Sequence, residues 1–116
     1  MILVMLTVSA ATHPAVSAQT PSPDLATVKA EREASTRAFV LCQIGAVKRL
    51  DDRKSDPAAV AQRMMSACGK EFDENVKVHS RYLENGSEAQ KKVASGLRKS
   101  SIDGAMQIVR HNRQAH

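Results

Sequence analysis

Apolar residues recur at helical spacing along most of the chain, and they predict three helices. We expect the first helix over about residues 23–51, the second over about residues 57–85 and the third over about residues 88–111. No stretch alternates between apolar and polar residues with the two-residue period of a strand. The pattern therefore predicts an all-α domain, namely an antiparallel helical hairpin with a third helix packed on it as a small three-helix bundle.

Turn and capping residues mark the ends of these predicted helices. Ser55 or Asp56 is expected to cap the second helix, with Pro57 at its first position. The Asn-Gly pair at residues 85–86 is expected to end that helix, since glycine tolerates the left-handed backbone of a helix stop. A capping box of the Ser-x-x-Gln type at residues 87–90 then predicts the start of the third helix.

Two cysteines and three apolar pairs fit a single register of the predicted hairpin. Both helices rise by the same distance per residue, so facing positions have residue numbers with a constant sum. A turn centred near residue 55 predicts a sum of about 110. The pairs that meet this sum to within one are Cys42–Cys68, Leu50–Val60, Phe39–Phe72 and Val47–Met64.

Cysteines at equal height on facing helices are expected to form a disulfide in an oxidising compartment. A bond between Cys42 and Cys68 closes a loop of about 27 residues. For a loop of that length, the chain-entropy relation gives a stabilisation of the folded state of roughly 3.5 kcal/mol. A redox-active or metal-binding pair is the alternative. It is disfavoured because the spacing is not Cys-x-x-Cys and because no histidine or acidic cluster accompanies the pair.

The stretch between the two cysteines also carries an acidic turn and a Ser-Asp helix cap. This pattern resembles that of short exported bacterial helical proteins of uncharacterised function, in which two cysteines flank an acidic turn. The match covers about a quarter of the chain, and because its residues belong to the turn, the cap and the disulfide, it implies a fold and no activity. The matching residues are Cys42, Ala46, Leu50, Asp51, Asp52, Ser55, Asp56, Val60, Ala61, Ala67 and Cys68.

Residues 1–18 are predicted to form a signal peptide. The apolar run over residues 1–11 is too short to span a bilayer, and small residues at 15–18 suit a cleavage site before Gln19. A cut after Ala10 and a buried N-terminal helix are the alternatives, and the lack of a preceding Lys or Arg leaves an upstream start open. We therefore expect one periplasmic or secreted domain over residues 19–116, with a flexible lead-in, a C-terminal tail and no transmembrane segment.

The excess of positive charge lies in residues 77–116. The net charge is +5. Residues 19–76 balance nine Lys and Arg against nine Asp and Glu, whereas residues 77–116 carry eight against three. On a helical wheel, one arc of this helix holds the cations Lys91, Lys92, Arg98, Lys99, Arg110 and Arg113, and a separate stripe, expected to face the hairpin, holds Val93, Leu97, Gly104 and Ile108.

Three apolar residues, Ile102, Met106 and Val109, fall inside the basic arc of the third helix. Either this end of the helix is sandwiched in the core, or it exposes apolar side chains among cations and forms a partner-binding surface with them. The candidate partners are an unidentified protein, an anionic envelope surface and a second copy of the chain as a homodimer. Nucleic acid is not expected, because no aromatic residue lies among the cations for base stacking.

Candidate catalytic chemistry is sparse. His79 lies beside the apolar stripe of the second helix, while His111 and His116 lie in the C-terminal tail. No nucleophile elbow, zinc-protease, phosphate-loop or haem motif is present, so we expect no enzyme, no cofactor and no metal. The predicted function is a non-enzymatic exported protein that binds a partner through the basic and apolar surface of its third helix. The alternative is a periplasmic chaperone-like protein that exposes this surface under stress.

Overall fold

The computed structural model describes residues 24–115, which form four α-helices and no strand. The helices are α1 (Leu25–Leu50), α2 (Pro57–Ala67), α3 (Gly69–Ser80) and α4 (Gly86–Gln114). The predicted signal peptide, residues 1–18, lies outside the described residues. The all-α class is confirmed. The count of three is not, because the second predicted helix is divided into α2 and α3.

The division between α2 and α3 lies at Cys68. Its backbone angles, φ −105° and ψ 25°, depart from the helical range. The hydrogen bonds nevertheless continue through this residue, because its N–H donates to the carbonyl of Met64 at 3.0 Å and its own carbonyl accepts from Phe72 at 2.9 Å. The interruption is therefore confined to one residue, and the apolar spacing on either side of it is undisturbed.

The residues that begin α2 and α4 lie close to the predicted helix starts. The side chain of Asp56 accepts the N–H of Ala58 at 3.1 Å, which confirms Asp56 as the cap of α2. α4 begins at Gly86, one residue before the predicted capping box at residues 87–90. Asn85 precedes it with φ +67°, in the left-handed region that asparagine tolerates better than most residues.

The hairpin register predicted from residue numbers is confirmed by direct contacts between α1 and the α2–α3 arm. Cys42 and Cys68 form a disulfide with their Cα atoms 6.0 Å apart, which accounts for both cysteines of the chain. The ring centroids of Phe39 and Phe72 lie 5.8 Å apart. These two contacts are about one helical turn apart on each arm, so the arms run antiparallel at equal height.

Buried polar side chains hold the same register. Asn75 is buried, and its Oδ1 accepts hydrogen bonds from the hydroxyls of Ser35 at 2.8 Å and Thr36 at 3.2 Å. The buried amide of Gln43 donates to the sulfur of Met65 at 3.6 Å. A slip of the register would leave these groups without partners in the interior, which is costly.

α4 packs against α1, α2 and α3, and its orientation differs from the wheel prediction. Its buried residues are Ala105 and Val109, whereas Leu97 and Ile108 are only half-buried and Gly104 is exposed. The buried residues of α4 therefore do not belong to the predicted stripe, and Val109 comes from the apolar set that the prediction placed inside the basic arc. The core consists of Phe39, Ala46, Val47, Val60, Ala61, Met64, Met65, Cys68, Phe72, Val76, Ala105 and Val109.

An ion pair attaches the C-terminal end of α4 to the turn between α1 and α2. The side chain of Asp51 is fully buried and accepts from Arg113 Nη2 at 2.9 Å and from Asn112 Nδ2 at 3.2 Å. The backbone N–H of Arg53 donates to the same carboxylate at 2.9 Å, and Arg113 also donates to the carbonyl of Ser55 at 2.6 Å. These bonds extend α4 past its predicted end at residue 111.

Loss of the disulfide is expected to lower the stability of the protein. Replacing both cysteines, Cys42→Ala with Cys68→Ala, should lower the free energy of unfolding in urea by about 3 kcal/mol, because the bond no longer restricts the unfolded chain. Reduced wild-type protein is the control, since it keeps both sulfur atoms and loses only the bond. A free energy of unfolding that stays the same after reduction would contradict the prediction.

The buried carboxylate of Asp51 should make stability depend on acid pH. The hydrogen bond from Arg113 is the main cause that lowers the pKa of Asp51 from 3.8 to about 2. A lowered folded-state pKa stabilises the protein above pH 4, and this contribution is lost as the pH falls through 2. We expect Asp51→Asn to lower the free energy of unfolding at pH 7 by about 1–3 kcal/mol, with a smaller difference at pH 2. Asp73→Asn, on the exposed face of α3, should change little at either pH.

Candidate functional site

An open cleft of about 560 Å³ lies between α3 and α4. Its apolar part is formed by Phe72 and Val76 of α3, both buried core residues, and by the half-buried Ala94 of α4. The seam between α3 and α4 thus leaves apolar side chains at the base of a concave surface. The residues that line the cleft are Phe72, Asp73, Val76, Lys77, Ser87, Gln90, Lys91, Ala94 and Arg98.

Three cations from two helices line this cleft. Lys77 comes from α3, and Lys91 and Arg98 come from α4. Asp73 is the one carboxylate of the lining, so the formal charge of the lining is +2. Within residues 24–115, no carboxylate lies within ion-pair distance of either lysine. The cleft therefore combines an apolar base with cations that are available to an anion.

Arg98 is positioned by an aromatic ring of the core. Its guanidinium carbon lies 4.9 Å from the centroid of the Phe72 ring, within the range of a cation–π interaction. The same ring packs against Phe39 across the hairpin, so Phe72 is fixed from its other side. The contact places the Arg98 charge directly beside the apolar base of the cleft.

The first turn of α4 borders one end of the cleft. Ser87 and Gln90 lie in this turn and contribute polar side chains to the lining. Asn85 makes no side-chain hydrogen bond to the turn. The partial positive charge of a helix N-terminus adds to the potential of the three cations, although it does not define a site by itself.

The cations predicted as partner-binding residues occupy three different environments. Lys91 and Arg98 come together in the cleft. Lys92, Lys99 and Arg110 are exposed on α4 but do not contribute to the cleft lining. Arg113, by contrast, donates to Asp51 and to the carbonyl of Ser55, so it stabilises the fold.

The apolar residues predicted for the same surface pack against the core. Val109 has no exposed surface, and Ile102 and Met106 are half-buried against the core cluster. Val109 is therefore not accessible to a partner. The physical reason is that α4 covers α2 as well as α3, so its buried face is broader than a single stripe. Of the two alternatives for this end of the helix, the structure supports burial in the core for Val109.

Lys77 is the residue of the cleft that the sequence analysis missed. It lies one position after Val76, as Asp73 lies one position after Phe72, so both charged residues flank the core stripe of α3. Such residues at the edge of an apolar stripe are the ones that a neighbouring helix brings into a cleft. Lys77 and Lys91 lie on different helices, so the pattern of the third predicted helix alone does not pair them.

Two other groups with possible chemistry can be placed. The sulfurs of Cys42 and Cys68 and a carboxylate oxygen of Glu71 lie within 4.8 Å of one another. Because the sulfurs are bonded to each other, they supply no thiolate for a metal. His79 Nδ1 lies 2.9 Å from the carbonyl of Asn75 in the preceding turn.

None of the helices within residues 24–115 has the length and hydropathy required to cross a bilayer.

The half-buried position of Ile102 can be tested by substitution. Ile102→Ser should lower the free energy of unfolding by about 1–2 kcal/mol, because it removes apolar contacts with the core and places a hydroxyl there. Lys99→Ser, three residues earlier on the exposed face, should change it by less than about 0.5 kcal/mol. Equal effects in urea denaturation would show that Ile102 lies on the surface.

Comparisons with known proteins assign no family to this chain. No family model matches it. No curated protein and no solved structure matches it either. The function must therefore be inferred from the shape of the cleft, the charges around it and their chemistry.

Proposed function

We propose that this chain is a small exported protein without catalytic activity that binds an anionic envelope surface through the cleft between α3 and α4. The observation that carries the proposal is the convergence of Lys77, Lys91 and Arg98 on an apolar base formed by Phe72 and Val76. A lipid with an anionic headgroup and an acyl chain has both of the chemical features that this lining complements.

The electrostatics support a membrane surface as the partner. A basic side chain near an anionic bilayer contributes about 1 kcal/mol to binding, and several act together. Lys92, Lys99 and Arg110 are exposed on α4 and add to the cations of the cleft. The balanced charge of residues 19–76 adds no net attraction, so the C-terminal part of the chain is the part that should face the surface.

Export of the protein is supported by two independent features. Disulfides persist in oxidising compartments, and the Cys42–Cys68 bond links two helices of the core. The apolar run at residues 1–11 with small residues before Gln19 has the pattern of a secretory signal. The resemblance of the stretch between the cysteines to short exported bacterial helical proteins agrees with both.

Vesicle binding tests the proposed function. The oxidised protein should bind vesicles of phosphatidylglycerol and phosphatidylcholine in low salt, and it should not bind vesicles of phosphatidylcholine alone. The double variant Lys77→Gln with Lys91→Gln should weaken binding roughly thirtyfold, since two cations that each contribute about 1 kcal/mol near the surface are lost. Lys29→Gln with Lys54→Gln removes the same charge from outside the cleft and is the matched control. Co-sedimentation at several salt concentrations measures the effect, which should fall as salt rises.

Two outcomes would overturn this proposal. Equal weakening by the two double variants would assign the binding to net charge and not to the cleft. Absence of binding to anionic vesicles in low salt would exclude the membrane surface. Suppression of the aggregation of an unfolded protein in the absence of lipid would, in that case, favour the chaperone-like function.

A further inference from the structure

A second groove lies on the other side of α4, between α4 and α1. Two adjoining cavities of about 350 and 660 Å³ share Gly104 and Ile108 of α4 in their linings. Along the groove, residues of increasing number on α1, from Val40 to Lys48, lie opposite residues of increasing number on α4, from Leu97 to His111. The two helices therefore run parallel, and both end at the same end of the groove.

The groove exposes apolar side chains that the fold does not cover. Val40 and Ile44 of α1 are 37% and 41% exposed, and Leu97 and Ile108 of α4 are half-buried beside them. Gly104 belongs to the stripe that was expected to face the hairpin, but a Cβ placed on it would meet nothing within 4 Å. The groove is therefore open space with apolar sides.

The length of the groove suits about three turns of an α-helix. Residues Thr36 to Lys48 of α1 border it, and they span about 18 Å, or three helical turns. A helix placed there would pack against α1 and α4 together, as neighbouring helices do in a bundle. Amphipathic helices bind grooves of this kind through apolar residues spaced three, four and seven positions apart.

Charge at one end of the groove indicates the direction of the bound helix. Lys48 and His111 line this end, and no acidic residue is among the described residues that line either cavity. The C-terminal ends of α1 and α4, which carry partial negative charge, lie here as well. A helix that places its N-terminal turn here fits the partial negative charge, because its dipole opposes those of α1 and α4. Asp or Glu in that turn would in addition meet the basic side chains of Lys48 and His111.

We propose that the α1–α4 groove binds an amphipathic helix of a partner protein, antiparallel to α1 and α4, with acidic residues in its first turn next to Lys48 and His111. This surface is separate from the α3–α4 cleft, so the inference goes beyond the proposed membrane binding. Its basis is the apolar lining, the three-turn length and the charge at the C-terminal ends of both helices.

A designed peptide is the probe for this groove. It has about four helical turns, leucines three, four and seven positions apart, and two glutamates in its first turn, and its binding is measured by fluorescence anisotropy. The variant Gly104→Leu should raise the Kd at least tenfold, because its side chain fills the groove. Gly96→Leu is the matched control: it makes the same substitution in α4, also has nothing within 4 Å of its Cβ, and contributes to neither cavity.

A charge exchange tests the direction of the bound helix. Lys48→Glu should weaken binding of the peptide with glutamates in the first turn, and it should strengthen binding of a peptide with lysines at those positions. An equal effect of Gly96→Leu and Gly104→Leu, or no binding to wild-type protein, would overturn the proposal. A dimer in light scattering that Gly104→Leu dissociates would also overturn it and would assign the groove to a second copy. Vesicle binding should be unchanged by Gly104→Leu, so the two proposals fail independently.

Discussion

The bond between Cys42 and Cys68 is the constraint on which the other contacts depend, since it fixes the height at which two antiparallel arms face each other. Both arms rise equally per residue, so one fixed pair determines which residues meet along their length. Phe39 therefore meets Phe72, and the hydroxyl of Ser35 reaches Asn75. α4 packs on the hairpin that this seam forms, with contacts to α1, α2 and α3.

The position of α4 explains why the molecule has two grooves of different character. Arg98 packs over Phe72 near the first half of the helix, and Arg113 pairs with Asp51 at its C-terminal end. Between these points Ala105 and Val109 are the buried residues of α4, and half-buried residues on either side of them also pack against the core. An open groove nevertheless remains on each side of this contact. The side towards α3 is basic, and the side towards α1 is apolar.

The hairpin and its disulfide could be predicted from the sequence because they depend on the rise per residue and on apolar spacing alone. The break at Cys68 could not, since the spacing continues through it. The rotation of α4 depends on contacts with three other helices, so a wheel drawn for that helix by itself left the location of Val109 undecided. Lys91 and Arg98 were found because they lie on one helix, whereas Lys77 was missed because the cleft is formed only when two helices meet.

The basic residues of this chain differ in whether a carboxylate of the protein pairs with their charge. A buried carboxylate such as that of Asp51 is costly unless a cation pairs with it, so the charge of Arg113 stabilises the fold and is already paired. Lys77 and Lys91 have no such partner in the described part of the chain, and with Arg98 they place three like charges around one cleft. Like charges close together repel each other and do not stabilise the fold. An anion in the cleft would remove that repulsion, which is why the cleft, and not the total charge, is the basis of the proposed function.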